Sequence, residues 1–531
     1  MNIEELIGKG YFPIELPPAF NTKKLGDNAS LLKTHFDSLN KSEKKKYRET
    51  ISSVFSTPKV GLSRRLMGIP NPIHQIELCS VIMDNWDNIQ DIFEKSSISA
   101  SSPIDDETGE RALTTKLSFG EFKDTCLEDS FDKKFELKTD ISKYYPNIYT
   151  HSIPWAIHTK EIAKAPENRN NFKLYGNLLD KAIRGSQSGQ TKGIPIGPDT
   201  SRVISEILGC TFDHFLQEKF SLTGFRFVDD CYFYFNSQAE AERVFKFFQS
   251  LLTDYSLDIN EQKTEIKKLP YPFVSDWSVQ LATFYIRHNE KGQKTDIKNF
   301  VSLAFKLTLE NPNDSVLKFA IRKLIYSKIF KSNWHFFESL LFKIGISEPV
   351  TLPDICRFLL TYKKWVNKRR LKKFIHQIID DHIYRGHHYE VAWALWIAKS
   401  FKVKINKPQA KEIFESSDII SIIIAFDLLQ NNLIDKSIET DHLKNEFTED
   451  GLINDWWLLV YEATFKGWIT PNNQNLISES PYFSKLKDEN VFFYDPERQL
   501  DQIVFKKPKD QQEPEEIEAF ESYKFLSIEY F

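Results

Sequence analysis

The 531-residue sequence predicts an α+β domain followed by an all-α half. Two observations carry this. Between about residues 61 and 285, short β-type runs alternate with helical ones. Beyond residue 296 almost every segment has the i, i+3/i+4 spacing of an amphipathic helix. The polar stretch RHNEKGQKTD (287–296) separates the two regimes. The expected units are therefore 1–60, a lead-in segment; 61–286, the mixed domain; and 287–531, the helical half with an acidic tail. Hydrophobic content of 41% and 43 Phe supply large cores and exclude global disorder.

Taken in order, the first 60 residues read as turn-rich and charged: YFPIELPPAF, KKLGDNAS, KSEKKKYRET. The Pro17-Pro18 pair favours extended chain over helix. FELKTDISKYY (135–145) begins as an alternating strand and meets a carboxylate, Asp140. DTSRVISEILGCTFDHFLQEKF (199–220) has apolar residues at Val203, Ile204, Ile207, Leu208, Phe212 and Phe215, which is helical spacing, with Asp199 or Thr200 as cap. FRFVDDCYFYF (225–235) reads as strand, tight turn, strand, and AEAERVFKFFQSLLTDYSL (239–257) as helix. In the helical half the segments come in pairs spaced by about 40 residues, as in helical-repeat stacks. The tail Asp510–Glu521 is acidic, carries Pro514 and reads as loose, with an aromatic end, YKFLSIEYF, suited to docking.

A formal net charge of −4 excludes a grip on a long duplex by the whole surface, so phosphate contacts must be local. One basic patch stands out: KKWVNKRRLKK (363–373). Lys363, Lys364, Lys368, Arg369 and Arg370 would track phosphates and Trp365 would stack on bases. The plainer reading is a solvated helix face. The five cysteines show no CxxC spacing, which speaks against a disulfide framework and against a zinc site and fits a reducing compartment. MNIEELIGKG has neither a basic nor an apolar leader region, and runs such as VAWALWIA are too short to span a bilayer. A cytoplasmic protein without membrane contact is expected.

The carboxylates carry the chemistry. Of three Asp-Asp pairs, Asp105-Asp106 lies in a Ser/Pro/Gly loop and Asp380-Asp381 on an amphipathic helix. Only Asp229-Asp230 is flanked on both sides by aromatic β-type alternation, where buried charge is costly without a cation. A strand ending in Asp140 and laid beside this hairpin would bring the acids together at one sheet edge. Such an oxygen cluster suits Mg²⁺. Two ions about 4 Å apart would clamp the attacking and leaving oxygens of a phosphoryl transfer. GIPIGPDTSR (193–202) makes a stiff loop before a helix, where backbone approaches a ligand closely. Lys263, in LDINEQKTEI, is placed to protonate a departing pyrophosphate.

DISKYYPNI, GIPIGPDTSR, FVDD and NEQKT, in this order, resemble the successive palm motifs of reverse transcriptases, over about residues 11–285. DISKYYPNIYTHSIPW, GYFPIELPPAF and SRRLMGIPNP are similar to segments of the bacterial antiphage abortive-infection (AbiK-like) and defence-associated reverse transcriptases. The resemblance implies fingers and a ferredoxin-like palm sheet, then a HEAT-like helical-repeat domain in place of a thumb. It makes Asp140, Asp229, Asp230 and the carbonyl of Ile141 ligands of a two-metal Mg²⁺ site, with Lys263 catalytic. It puts Tyr145 at the steric gate against a ribose 2′-OH, Arg64 and Arg65 on the triphosphate, and Gly197 in the substrate loop. Core packing is the rival role for Tyr145, and a solvated pair for the arginines. The implied partners are deoxynucleoside triphosphates, a single-stranded DNA product carried on a tyrosine, a noncoding RNA and further copies of the chain. Tyr11 and Tyr47 lie in segments read as loops. Ile196 replaces the Gln of templated relatives, which puts ordinary template handling in doubt. The implied activity is protein-primed, template-independent DNA synthesis in phage defence. The alternatives are an RNA-templated, retron-like enzyme and a non-catalytic nucleic-acid-binding module. His151 and Trp155 read as structural.

Overall fold

The computed structural model describes residues 1–61 and 63–503. Two hairpins precede the main sheet: β1 (Ser53–Pro58) with β2 (Arg64–Ile69), and β3 (Pro103–Asp105) with β4 (Leu113–Thr115). The main sheet has β5 (Phe135–Asp140), β6 (Thr223–Phe227), β7 (Asp230–Phe235) and β8 (Glu265–Lys268) in the order β6-β7-β5-β8, antiparallel throughout. Every residue of β7 is buried, because both faces are covered. Phe233 meets Phe248 of the helix Gln238–Asp254 on one side. On the other, Phe122 of the helix Phe119–Asp129 packs against Phe225, Phe227 and Tyr232. The aromatic alternation of this strand thus fills two cores at once.

The helix Asp199–Lys219 lies under the sheet. Val203, Ile204, Ile207, Leu208 and Phe212 are buried, and Phe215 alone of that expected stripe is exposed. The cap differs from expectation. Pro198 holds the N-cap position, and Asp199 instead accepts from the Leu113 N–H at 3.2 Å.

The N-terminal segment is more helical than its composition suggests. Asn2 and Glu5 close a capping box on the helix Ile3–Gly10, which buries Leu6 and Ile7, and Ala29–Ser38 is helical too. Pro17 and Pro18 do lie in non-helical chain. The polar stretch at 287–296 is a helix start. Asn289 caps Glu290–Glu310, and Arg287 pairs with Asp296 at 2.7 Å. From there the described chain is helical to Phe483–Asp488. This half clasps the N-terminal segment and the end of β2. The Asn21 N–H donates to Phe493 O at 3.0 Å, Trp393 Nε1 to Glu15 O at 2.9 Å and Trp457 Nε1 to Ile69 O at 3.1 Å. Among the described residues no helix is long and apolar enough to cross a membrane. The acidic tail lies outside the described residues.

Candidate active site

The register of β5 on β7 sets Asp140 opposite Asp230. The turn from β6 to β7 is only Val228-Asp229, and the Ile141 N–H donates to Asp229 O at 3.1 Å. Carboxylate oxygens of Asp140, Asp229 and Asp230 therefore come within 4.8 Å of one another. Asp140 and Asp230 are each 3% exposed. Burial pushes Asp229 up to about 7, and the charges of Asp230 and Asp140 add to the push. Burial raises Asp230 as well, with Lys263 pulling the other way. Acids raised by one another are short of positive charge. This oxygen-only donor set fits a hard divalent cation.

The chain supplies part of that charge. Lys263 Nζ lies 2.6 Å from Asp140 Oδ2, and Asn260 Nδ2 donates to Asp140 Oδ1 at 2.9 Å. Burial draws Lys263 down, but the Asp140 hydrogen bond and the three carboxylates outweigh it and leave it raised. Lys59, in the β1–β2 loop, is lowered by burial and by Arg65 and Lys263, and feels the charges of Asp229 and Asp140. Lys123 sits 3.5 Å from the Tyr232 ring centroid, drawn down to about 8 by burial.

Behind the turn lies a buried ionic network. The Arg226 side chain is fully buried and donates to Glu206 at 2.9 Å and to Asp213 at 2.8 Å. Its Nη1 also donates to Val228 O at 3.0 Å, while the Val228 N–H donates to Ser101 Oγ at 2.7 Å. Ser101 in turn donates to Glu206 at 2.6 Å. Both backbone groups of Val228 are thus fixed, and the residue is held at φ 56°, unusual for a β-branched side chain. Such a conformation costs on the order of 1–3 kcal/mol and persists only where surroundings enforce it. The network pins the residue before the two acids. Gly209 makes the room: a Cβ there would meet Arg226 Cζ at 2.5 Å. Gly209→Ala is expected to cost about 1–3 kcal/mol by overpacking, read as a lower urea midpoint.

Tyr145 packs beside the acids. Its hydroxyl accepts from Ser205 Oγ at 3.1 Å, and burial raises its pKa, with Asp229 adding to the effect. Gly197 has φ 123°, and a Cβ there would meet Pro13 Cγ at 2.7 Å. The Gly-Pro loop is anchored by Gly68, whose N–H donates to Ile196 O at 2.8 Å. Arg65 faces Lys59. Arg64 is directed elsewhere: it binds Glu390 of the helical half through both nitrogens, at 2.7 and 2.8 Å. Alternation along β2 sends the two neighbours to opposite faces.

The basic patch is divided too. Arg370 is tied to Glu338 at 2.7 Å, and Trp365 packs on Tyr362 and Trp334. Lys363, Lys364, Lys368 and Arg369 remain exposed. His151 pairs with Asp180 at 3.0 Å. Tyr11 and Tyr47, expected in loops, are buried; Tyr11 donates to Pro70 O, and Tyr47 lies 2.6 Å from Ser480 Oγ. Asn260, Lys59 and the Arg226 network escaped the sequence reading. Arg226 directly before FVDD was the available signal for the last.

Comparison with known proteins bears on this geometry. Residues 98–288 match the family described as reverse transcriptase (RNA-dependent DNA polymerase). The match takes in Asp140, Asp229, Asp230 and Lys263. No curated protein matches the chain. Among solved structures, apo telomerase from Candida tropicalis is similar over 71% of this chain and 68% of its own, at 14% identity and a TM-score of 0.32.

Proposed function

We propose that the chain, whose residues 98–288 match the reverse transcriptase family, is a nucleotidyltransferase and, more closely, a Mg²⁺-dependent DNA polymerase of phage defence by abortive infection. We assign it protein-primed, template-independent synthesis. The observation that carries the enzyme reading is the convergence of Asp140, Asp229 and Asp230 on one sheet edge. The defence role, priming and independence from template rest on the motifs quoted above and on Ile196.

Asp140, Asp229, Asp230 and the Ile141 carbonyl would hold the metal, which supplies charge neutralisation to the reacting phosphates when bound. Lys59 and Arg65 bring positive charge to the triphosphate. Lys263, more than half exposed, reaches out to give a proton to the leaving pyrophosphate. Tyr145 fills the space a 2′-OH would take. Tyr145→Ala is expected to raise use of ribonucleotides against deoxynucleotides by roughly 10–200-fold. Tyr145→Phe keeps the discrimination, since the ring and not the hydroxyl is the barrier. Competition assays with paired nucleotides read both. The nucleic-acid track runs along the exposed cations at 363–369 of a helical-repeat array that begins at residue 287. Tyr285 and Tyr384, 68% and 74% exposed and the most exposed tyrosines among the described residues, are candidate primers. The assembly is a homo-oligomer.

The test is incorporation by the full chain with Mg²⁺ and single labelled deoxynucleotides, with no template or primer added. Product that stays on the protein until protease treatment, and withstands ribonuclease pretreatment, supports the proposal. Loss of product after ribonuclease pretreatment replaces it with RNA-templated synthesis, the second reading, which the description of the matched family favours.

A further inference from the structure

A second cluster of ligating groups lies far along the chain from the acids, in DHIYRGHHYE (381–390). The helix Lys368–His382 ends on His382. One 3₁₀ turn, Ile383–Arg385, and Gly386 at φ 64° reverse the chain into the helix His388–Phe401. This tight reversal brings His382 Nδ1 to 2.8 Å from His387 Nδ1. His387 Nδ1 lies 3.8 Å from Glu390 Oε1, and a ligating atom from each of the three residues falls within 4.8 Å of the others.

We propose that His382, His387 and Glu390 form a transition-metal site, suited to Zn²⁺, that fastens the β1–β2 hairpin to the helical half. Two imidazoles and a carboxylate are a nitrogen/oxygen set of the kind Zn²⁺ takes, and one that Mg²⁺ does not favour. Tetrahedral ligands on Zn–N bonds of about 2.0–2.1 Å stand roughly 3.3 Å apart, so the nitrogens part slightly and Glu390 draws in. Without metal, one Nδ1 must carry a proton to donate to the other; ligation moves both protons to Nε2.

The outer partners are already in place. Arg64 donates to both oxygens of Glu390, which keep lone pairs for a metal, and so orients that carboxylate. Because Arg64 belongs to β2 and Glu390 to the helical half, the ion would stiffen a contact between the two. Arg64 and Arg385 oppose a cation, while Asp381 and Glu390 favour positive charge at His382. His388 is not among the three clustered ligands, and its Nδ1 accepts from the Ser56 N–H at 3.3 Å. A cavity of about 230 Å³, lined by Gly386, His387, Val391 and Asp418, adjoins His387.

The test uses the full chain, stripped of metal, loaded with Zn²⁺ alone and desalted, with bound zinc counted by mass spectrometry. One zinc per chain is expected in the wild type and in Asp229→Asn/Asp230→Asn, which removes the oxygen site. His382→Gln/His387→Gln is expected to weaken binding by more than the roughly 10–100-fold that loss of an outer partner costs. It also removes the rise in Tm on adding Zn²⁺. Equal zinc in the histidine variant, or none held by the wild type, overturns the proposal. Should the double variant fail to fold, Co²⁺ added to the wild type decides. A visible absorption of four-coordinate type that Zn²⁺ abolishes supports the site, and its absence overturns it.

Discussion

Replacing Arg226 by Met is expected to destabilise the protein by about 3–5 kcal/mol, because the buried carboxylates of Glu206 and Asp213 lose their cation. Burial alone would push Glu206 up. Arg226 outweighs it and holds that acid below its usual range, whereas Asp213 stays raised by burial even against Arg226. One arginine therefore only just serves two acids. The variant leaves both uncompensated in a dry site, and the loss should deepen as pH rises. Adding Glu206→Gln and Asp213→Asn should recover part of the stability, since the three act as a unit. Activity should fall as well, because Val228 O loses its Nη1 donor and the turn before Asp229 loosens. Urea unfolding of the single and triple variants measures the first effect. A cost below about 1 kcal/mol would mean that the network is ordinary packing.

The second large effect is on catalysis. Asp229→Asn/Asp230→Asn preserves shape and removes charge. It should lower nucleotide incorporation by at least about 10³-fold, since the metal's charge stabilisation is worth several kcal/mol. The same change should stabilise the metal-free protein at alkaline pH. Asp229 is raised to about 7 in the fold. Its contribution to stability is thus fully present below the ordinary carboxylate value of about 4 and lost as pH rises through about 7. The metal-free wild type should lose Tm across that window, and Asp229→Asn should remove that part of the slope. Added Mg²⁺ should raise the wild-type Tm more at pH 8 than at pH 5, where it must displace protons. Thermal scans with and without Mg²⁺ check the sign.

The acid hairpin was legible because two carboxylates amid alternating aromatics have one inexpensive place, the turn. Asp140 was legible as the polar end of an apolar strand. What stayed hidden depends on partners distant in sequence. Arg226 sits in an alternating strand where either face was open to it, and Glu206 and Asp213 lie beside the apolar stripe of a helix read for that stripe alone. Arg64 and Arg65 looked equivalent, but neighbours on a strand face opposite ways, and Glu390 takes Arg64. Trp365 read as free for stacking, although Tyr362 and Trp334 were near enough in sequence to claim it. The helix Ile3–Gly10 was missed because its stability comes from a cap and from packing of Leu6 and Ile7, and not from a long periodic run.

The central claim is that Asp140, Asp229 and Asp230 act together as a metal-dependent nucleotidyl-transfer site. The most direct measurement is the rate of deoxynucleotide incorporation against Mg²⁺ concentration, for the wild type and for the three single Asp→Asn variants. Circular dichroism would establish that each is folded. The account predicts a saturable Mg²⁺ dependence in the wild type, and near-complete loss at all three positions with the fold intact. Wild-type rates in any of the three folded variants, or incorporation indifferent to Mg²⁺ removal, would contradict it.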